Sequence, residues 1–383
     1  MAGLKPLVCV SAAVLGALAL ACANVSDQES PGTEIPGRLS VTAIPSNETT
    51  PSRTPAEGEA SVSTFVGDIS QGSVGAPGYI DGPPGKARFG ELASVASAPG
   101  GALYVADPMN NVIRKVDRNG EVSTFAGTGE EGDKDGQAAE ASFRGPTDVA
   151  IDQSGNVYVA DTLNHKIRKI DTTGQVTTVA GGGEIGLGGG GYQDGPVSEA
   201  RFRLPKGVAV TLQGALLIAD TDNHRVRRIE GGMVSTVAGN GKIGSGDGPA
   251  ATATFGALAG ITVAPSGDVY IIDQSRSSIR RLSAAGEVST LAAGGELKHP
   301  FDLVLVPGDQ IVVANTAGHN LIQVGASDGV VSILAGGTTP GFQDGAASSA
   351  RFFNPSGVAL GEDGRVLVAD GTNGLIRRLE NWP

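Results

Sequence analysis

The feature that most constrains the fold of this 383-residue chain is a phrase that returns along its length. Its copies, with variations, are VYVADTLNHKIRKID (157–171), LYVADPMNNVIRKVD (103–117), LLIADTDNHRVRRIE (216–230), VYIIDQSRSSIRRLS (269–283) and VLVADGTNGLIRRLE (366–380). Each copy holds two apolar runs of strand length around a polar turn, whereas helical periodicity of useful length is absent from residue 61 onward. A catalytic motif is normally needed once, so a recurring phrase indicates repeated architecture.

The repeat predicts a closed ring of six units. The residue that ends the second strand recurs at intervals of 42 to 59 residues, at Asp107, Asp161, Asp220, Asp273, Asn315 and Asp370. Each unit supplies short strands joined by tight glycine turns, which is typical of a propeller blade. The last unit stops after three strands, while VSTFVG (62–67) nearly duplicates the fourth strand VSTFAG (122–127). We therefore predict an all-β, six-bladed β-propeller, closed by the N-terminal strand completing the last blade, which leaves no raw sheet edge at the closure.

The phrases NHKIRKID (164–171) and NHRVRRIE (223–230), with GNVYVADT (155–162) before the first, resemble NHL repeats. The resemblance covers residues 62–380. It implies six-bladed propellers that mostly bind proteins or, in some members, RNA, while a few related propellers are enzymes. The resemblance therefore indicates the fold more strongly than the function.

The N-terminus is typical of an export signal. Residues 1–22, MAGLKPLVCVSAAVLGALALAC, contain one early cation, an apolar run and then small residues. ALAC (19–22) resembles the lipobox of bacterial lipoproteins, so we expect a signal peptide over 1–21 and a lipidated Cys22. The alternative is an ordinary secretory signal cleaved near Ala21 or Ala23, which would leave a secreted or periplasmic soluble protein.

Residues 22–61 are predicted to be the lipidated cysteine and a disordered Ser/Thr/Pro/Glu tether, and 62–383 the propeller. The tether contains no aromatic residue and too little apolar surface to offset the entropy of ordering it. We expect an exported monomer in the cell envelope, attached to a membrane through its lipid.

Charge and cysteine usage exclude several classes of function. The formal net charge of −12 argues against a nucleic-acid partner, because phosphate binding needs unopposed cations. The paired cations of each third strand are expected to bond neighbouring carboxylates instead. Both cysteines, Cys9 and Cys22, precede the propeller, so a disulfide or a thiolate metal site is excluded there.

The repeated aspartates are predicted to be structural, because side chains spread over five blades cannot converge on one ion. They are Asp107, Asp161, Asp220, Asp273 and Asp370. His165, His224 and His319 share one slot of the repeat and lack a neighbouring nucleophile, so no catalytic residue is predicted. No metal site or cofactor is predicted either. Calcium at GDKDG (132–136) is a weaker alternative, since only Asp133 and Asp135 offer oxygens at suitable spacing.

A ligand site is expected where the blades differ. The long glycine-rich insertions between blades and the polar turns should share one face, which we predict to be the binding face. Together the insertions would form a wall around that face. Blade 5 has the shortest insertion, AAGGELKHPFD (292–302), and would leave a notch in the wall. The predicted ligand-binding residues are Asp148, Lys206, His299, Asp302, Asn315 and His319.

The sequence favours a non-catalytic binding or interaction module for a protein or cell-envelope ligand. The alternative is a metal-assisted, lactonase-like hydrolase or lyase using the central channel, where only Asp148 and Asp302 offer carboxylates. A purely structural envelope protein is a third class.

Overall fold

The computed structural model describes residues 56, 58–70 and 77–382. The predicted signal peptide, the Cys22 lipidation site and most of the tether lie outside these residues. The described chain forms six antiparallel sheets of four or five strands. The innermost strands of successive sheets contact one another around a closed ring.

Twenty-eight strands, numbered in chain order, build the six described blades. Blade 1 consists of β2 (Ser94–Ser97), β3 (Leu103–Asp107), β4 (Val112–Val116) and β5 (Val122–Ala126). Blade 2 consists of β6 (Gly136–Gln137), β7 (Pro146–Ile151), β8 (Val157–Asp161), β9 (Lys166–Ile170) and β10 (Gln175–Gly181). Blade 3 consists of β11 (Gly195–Pro196), β12 (Pro205–Val210), β13 (Leu216–Asp220), β14 (Arg225–Glu230) and β15 (Met233–Ala238).

The remaining blades follow the same plan. Blade 4 consists of β16 (Gly248–Pro249), β17 (Leu258–Val263), β18 (Val269–Asp273), β19 (Ser278–Leu282) and β20 (Glu287–Ala293). Blade 5 consists of β21 (Asp302–Val306), β22 (Gln310–Asn315), β23 (Asn320–Gly325) and β24 (Val331–Gly336). Blade 6 consists of β25 (Gly345–Ala346), β26 (Pro355–Leu360), β27 (Val366–Asp370), β28 (Leu375–Glu380) and the N-terminal β1 (Ser61–Val66).

The helices of the described chain are four 3₁₀ turns, and none is long and apolar enough to cross a membrane. They are Thr162–Asn164, Thr221–Asn223, Gln274–Arg276 and Thr316–Gly318.

The N-terminal strand closes the ring, as predicted. β1 pairs antiparallel with β28 from Ser61 opposite Glu380 to Val66 opposite Ile376. On its other side β1 pairs with β25. The first strand of the chain is therefore the fourth strand of the last blade, and the two ends of the propeller hold each other.

The polar turn of the repeat has a steric cause. The residue that follows each turn lies in the left-handed region, with φ between 46° and 61°. Asn and His tolerate this region better than most residues, and Gly adopts it freely. The residues in this slot are Asn111, His165, His224, Ser277, His319 and Gly374.

In five blades the repeated aspartate and an arginine of the third strand form a buried brace. In blade 2, Arg168 donates to Asp161 at 2.8 Å and to Asp135 of the preceding insertion at 2.6 Å. Arg168 and Asp161 are fully buried, whereas Asp135 is 45% exposed. The Arg168 guanidinium also lies 5.2 Å from the ring centre of Phe143. Burial raises the pKa of Asp161 to about 6, and the charge of Arg168 opposes that rise. The brace therefore ties each insertion to its blade.

Equivalent braces occur in blades 1, 3, 4 and 6. They join Arg114 to Asp107 and Asp81, Arg227 to Asp220 and Asp194, Arg280 to Asp273 and Asp247, and Arg377 to Asp370 and Asp344.

Blade 5 differs from the other blades at both residues of the buried brace. Asn315 stands where the other blades have the aspartate, and Ile322, paired with Val313, stands where they have the arginine. The insertion also lacks the acidic partner. An aspartate without its arginine would be an uncompensated buried charge, so the neutral Asn315 follows physically from the loss of the cation.

The insertions do not form the wall that the sequence predicts on the face of the polar turns. Their DG segments fold back along the outer edge of the following blade, where Gly136 and Gln137 pair with Val176 and Gln175. This edge lies at the end of the blade opposite the polar turn. Part of the longest insertion does cover that turn, because the carbonyl of Gly186 bonds His165.

Candidate functional site

One position of the innermost strand sets the chemistry of the central channel. Asp148 and Asp302 hold it in blades 2 and 5, where they pair with Ala160 and Ala314 of the second strands. Because these blades are three apart in a ring of six, the two aspartates lie on opposite sides of the channel. The equivalent residues of blades 1, 3, 4 and 6 are Ser94, Gly207, Gly260 and Gly357.

Three glycines in this ring permit close approach between neighbouring blades. A Cβ atom on Gly357 would lie 2.7 Å from the Cα atom of Ser94. A Cβ atom on Gly260 would lie 2.7 Å from both the Cα and the Oδ1 atoms of Asp302. The innermost strands therefore pack backbone to backbone, and the two carboxylates are the charged groups among the residues that line the cavity.

Each carboxylate joins its own blade to the next. Asp148 accepts hydrogen bonds from the Ser94 hydroxyl at 2.6 Å and from the Val208 and Val149 amides, each at 2.8 Å. Asp302 accepts from the Leu303 amide at 2.8 Å and from the Val358 amide at 3.1 Å. These bonds fix both carboxylates in orientation.

Burial raises the pKa of both aspartates. The pKa of Asp148 rises to about 7, although its three hydrogen bonds favour the charged form. The pKa of Asp302 also rises well above its usual value, first through burial and then through the negative charge of Asp148. The pair therefore carries a proton at pH values where ordinary aspartates are ionised.

The channel holds a cavity of about 300 Å³, lined by the innermost strands. Asp148, Asp302 and Ser94 lie at one end of it. Towards the other end the lining residues become more exposed, from the buried Val149 to the half-buried Ile151. Since the short glycine turns follow that end of the strands, the cavity opens on the short-turn face. The binding face predicted from the long insertions was the opposite one, and the cavity does not support it.

Lys206 lies apart from this pair. It occupies the extra position of a β-bulge between Pro205, paired with Asp220, and Gly207, paired with Ala219. A bulge turns a side chain away from the regular alternation of the strand, and Lys206 does not line the cavity. Burial lowers its pKa, and the opposing charge is that of Asp222 in the polar turn. The expected arrangement of Lys206 across from a blade 5 notch is not observed.

The predicted notch residues of blade 5 are also dispersed. His299 is exposed, and its amide bonds Ser277 of blade 4. His319 is half-buried; its Nδ1 accepts the Asn354 amide at 3.3 Å, and burial lowers its pKa. Asp302 alone of the blade 5 set reaches the channel.

Asn315 is fully buried and lies away from the channel cavity. Its Oδ1 accepts the Lys298 amide at 2.6 Å, and its Nδ2 donates to the Glu296 carbonyl and to Asn320 Oδ1. Its polar atoms are used within blade 5, in the structural place of the repeated aspartate.

His165 is wholly buried and bonded at both ring nitrogens. The Leu204 amide donates to Nδ1 at 3.0 Å, so Nε2 carries the proton and donates to the Gly186 carbonyl at 2.8 Å. Burial lowers its pKa. Through these two hydrogen bonds the neutral imidazole holds the insertion between blades 2 and 3 against the polar turn.

The two carboxylates considered for calcium are occupied by cations of the protein. Asp133 bonds Lys166 at 2.8 Å, and Asp135 bonds Arg168. Within the described residues, no group of three or more His, Cys, Asp or Glu side chains is arranged to hold a metal ion.

Sequence reasoning found both channel aspartates but placed their neighbours one residue off. It placed Lys206 with them, whereas Gly207 occupies the ring position in blade 3. The bulge at the start of these strands causes the slip, and the spacing from the repeated aspartate does not reveal it.

Comparisons with known proteins agree with this architecture. The NHL repeat model matches residues 143–170 and 202–229. The Arabidopsis thaliana protein SUPPRESSOR OF QUENCHING 1, chloroplastic, is 30% identical over 66% of this chain, which corresponds to 26% of that protein. NHL repeat-containing protein 2 of Bos taurus is 28% identical over 82% of this chain, corresponding to 49% of that protein. The chain thus spans half or less of the length of these relatives.

Solved structures share the fold at low identity. An auxiliary nutrient binding protein from Bacteroides ovatus superimposes with a TM-score of 0.62 at 16% identity, covering 84% of this chain and 76% of that one. A streptogramin B lyase superimposes with a TM-score of 0.53 at 13% identity, covering 85% and 99%. Together with the repeat matches and the closed ring of six blades, these findings show that the chain is an NHL-repeat β-propeller.

Proposed function

We propose that this protein is an exported, lipid-anchored propeller that acts as a non-catalytic binding module. We further propose that its ligand enters the channel from the short-turn face and is held at Asp148 and Asp302. The observation that carries the proposal is the pair of oriented, buried carboxylates at the inner end of an open cavity of about 300 Å³.

The cavity chemistry suits a ligand with a cationic or hydrogen-bond-donating head. Two carboxylates face each other, and aliphatic side chains such as Val149, Ile261 and Leu303 line the wall. An ammonium group between the carboxylates would relieve their mutual repulsion and displace the proton that the pair holds. The aliphatic wall would then cover the apolar part of a small ligand.

Two kinds of observation support a binding role. The carboxylate oxygens already accept hydrogen bonds from the backbone of neighbouring blades, which suits a rigid receptor. Two fold relatives are described as auxiliary nutrient binding proteins, the one from Bacteroides ovatus and one from Bacteroides thetaiotaomicron with a TM-score of 0.61. Export and the lipid anchor are proposed from residues 1–22 alone.

A metal-assisted hydrolase or lyase is the second candidate. The same channel carboxylates favour it, and fold relatives include the streptogramin B lyase and a gluconolactonase from Xanthomonas campestris with a TM-score of 0.54. In this chain the remaining ring positions are Ser94 and three glycines, so Asp148 and Asp302 would have to hold a metal almost unaided.

The test is a thermal-shift and calorimetric titration of the purified chain with primary alkylammonium ions and, separately, with Ca²⁺. We expect a saturable rise in melting temperature with an alkylammonium ion, which Asp302→Asn removes. Glu199→Gln, an exposed substitution on the insertion before blade 3, is the matched control and should retain the rise.

Stoichiometric Ca²⁺ binding together with lactone hydrolysis would favour the enzyme. Absence of saturable alkylammonium binding would refute the proposed ligand class.

A further inference from the structure

Blade 5 differs from the other blades at its outer edge. In blades 2, 3, 4 and 6 a two-residue strand from the preceding insertion covers the fourth strand. In blade 1 the backbone of Gly82 does the same, exchanging two hydrogen bonds of 2.9 Å with Val122. In the described chain the sheet of blade 5 ends at β24.

The uncovered edge is apolar. The valine at the start of the outer strand is at most 2% exposed in the other blades, at Val62, Val122, Val176, Val234 and Val288. Its counterpart Val331 is half-buried, and its neighbours Val330 and Ile333 are 64% and 46% exposed. An edge strand with exposed apolar side chains and outward backbone groups is a template for pairing with a further strand.

The backbone groups that would pair can be assigned from the other blades. Val331 corresponds to Val122, whose amide and carbonyl both bond Gly82. Ile333 corresponds to Thr178, whose amide donates to Asp135 at 3.0 Å. In the described chain the short insertion before blade 5 supplies no strand at β24, so the Val331 and Ile333 amides face outward along the edge.

The N-terminal segment leaves the propeller beside this edge. Ala60, just before β1, and Leu334 of β24 pack against the same hydrophobic cluster, which contains Val62, Ala335 and Phe352. Ala347 donates its amide to the Ala60 carbonyl and accepts the Gly336 amide at the end of β24, so the chain that precedes residue 60 starts near that end of the uncovered strand.

That preceding chain contains one stretch with the pattern of a strand. LSVTAI (39–44) alternates apolar and polar residues over its first five positions and ends on the apolar Ile44, and its six residues match the length of β24. Residues 45–60 join it to β1, and a flexible linker of this length has an r.m.s. reach of about 20–25 Å. Such a short tether gives the segment an effective concentration on the order of millimolar at the edge.

We propose that residues 39–44 pair with β24 as the missing outer strand of blade 5. The alternation places Leu39, Val41 and Ala43 on one face, where they can cover Val331 and Ile333, which share a face of β24. Residues 23–38 are then left as the spacer between the propeller and Cys22.

The test is hydrogen exchange of the full chain, followed at the β24 amides. We expect exchange at Val331 and Ile333 to be at least tenfold slower than in Val41→Pro, which removes a pairing amide from the segment. Asn47→Pro, in the linker outside the segment, is the matched control and should exchange like the wild type. Both positions precede the first strand of the propeller, β1 (Ser61–Val66).

Two outcomes would overturn the proposal. Fast exchange at Val331 and Ile333 in all three proteins would show that residues 39–44 do not pair with β24. Protection that survives Val41→Pro and grows with protein concentration would show that a second copy covers the edge.

Discussion

The buried brace of blade 2 allows a quantitative test of why blade 5 changed two residues together. Arg168→Ile removes hydrogen bonds to Asp161, Asp135 and two backbone carbonyls. Asp161 would remain fully buried, bonded to Asn164 and the Arg144 amide but without a cation. Removing one partner of a buried ion pair costs about 3–5 kcal/mol of unfolding free energy.

The double variant Asp161→Asn/Arg168→Ile reproduces the blade 5 pair, and we expect it to cost less than the sum of the single variants. Coupling between contacting residues of this kind is about 1–3 kcal/mol. Urea unfolding of the four proteins measures it. The matched control is the exposed pair Arg365 and Asp363, where Arg365→Ile and Asp363→Asn should show coupling near zero to about 1 kcal/mol. Additive costs at the buried pair would refute the brace argument.

Three further predictions concern the channel, the polar turns and the anchor. Because the folded-state pKa values of Asp148 and Asp302 are raised, the wild-type melting temperature should fall as pH rises from about 4 through 7, and Asp302→Asn should flatten that fall. An unchanged pH profile would contradict the assignment. His165→Ala should lower the free energy of unfolding more than His319→Ala does in denaturant titrations, since His165 is buried and bonded at both nitrogens. Equal losses of unfolding free energy would argue against the structural role of His165. Cys22→Ser should release the folded protein from the membrane fraction, and retention there would disprove lipidation at Cys22.

The fold was predictable because its information is repeated. A glycine turn or an apolar run that is ambiguous once becomes clear when six units agree, and the duplication of VSTFAG by VSTFVG fixed the closure. Two features have causes in the local sequence. One is the left-handed residue that follows each polar turn, and the other is the structural role proposed for the repeated aspartates.

The candidate site was only partly predictable. Asp148 and Asp302 stood out because they break the repeat at the start of a strand. Their neighbours Gly207 and Gly260 did not, because a bulge shifts the register by one residue. Asn315 also departs from the repeat, and the structure accounts for its departure by the loss of the arginine that the other blades have at the position of Ile322. The direction of the insertions depends on edge pairing between distant residues, which no local pattern records.

The most direct test of the account is the number of protons released when an alkylammonium ion binds. Calorimetry in buffers of different ionisation enthalpy at pH 6 to 7 measures this number. If the ligand head lies between Asp148 and Asp302, close to one proton should be released, and Asp302→Asn should abolish the release. Binding without proton release, or release that persists in Asp302→Asn, would contradict the claim that the two carboxylates form the binding site.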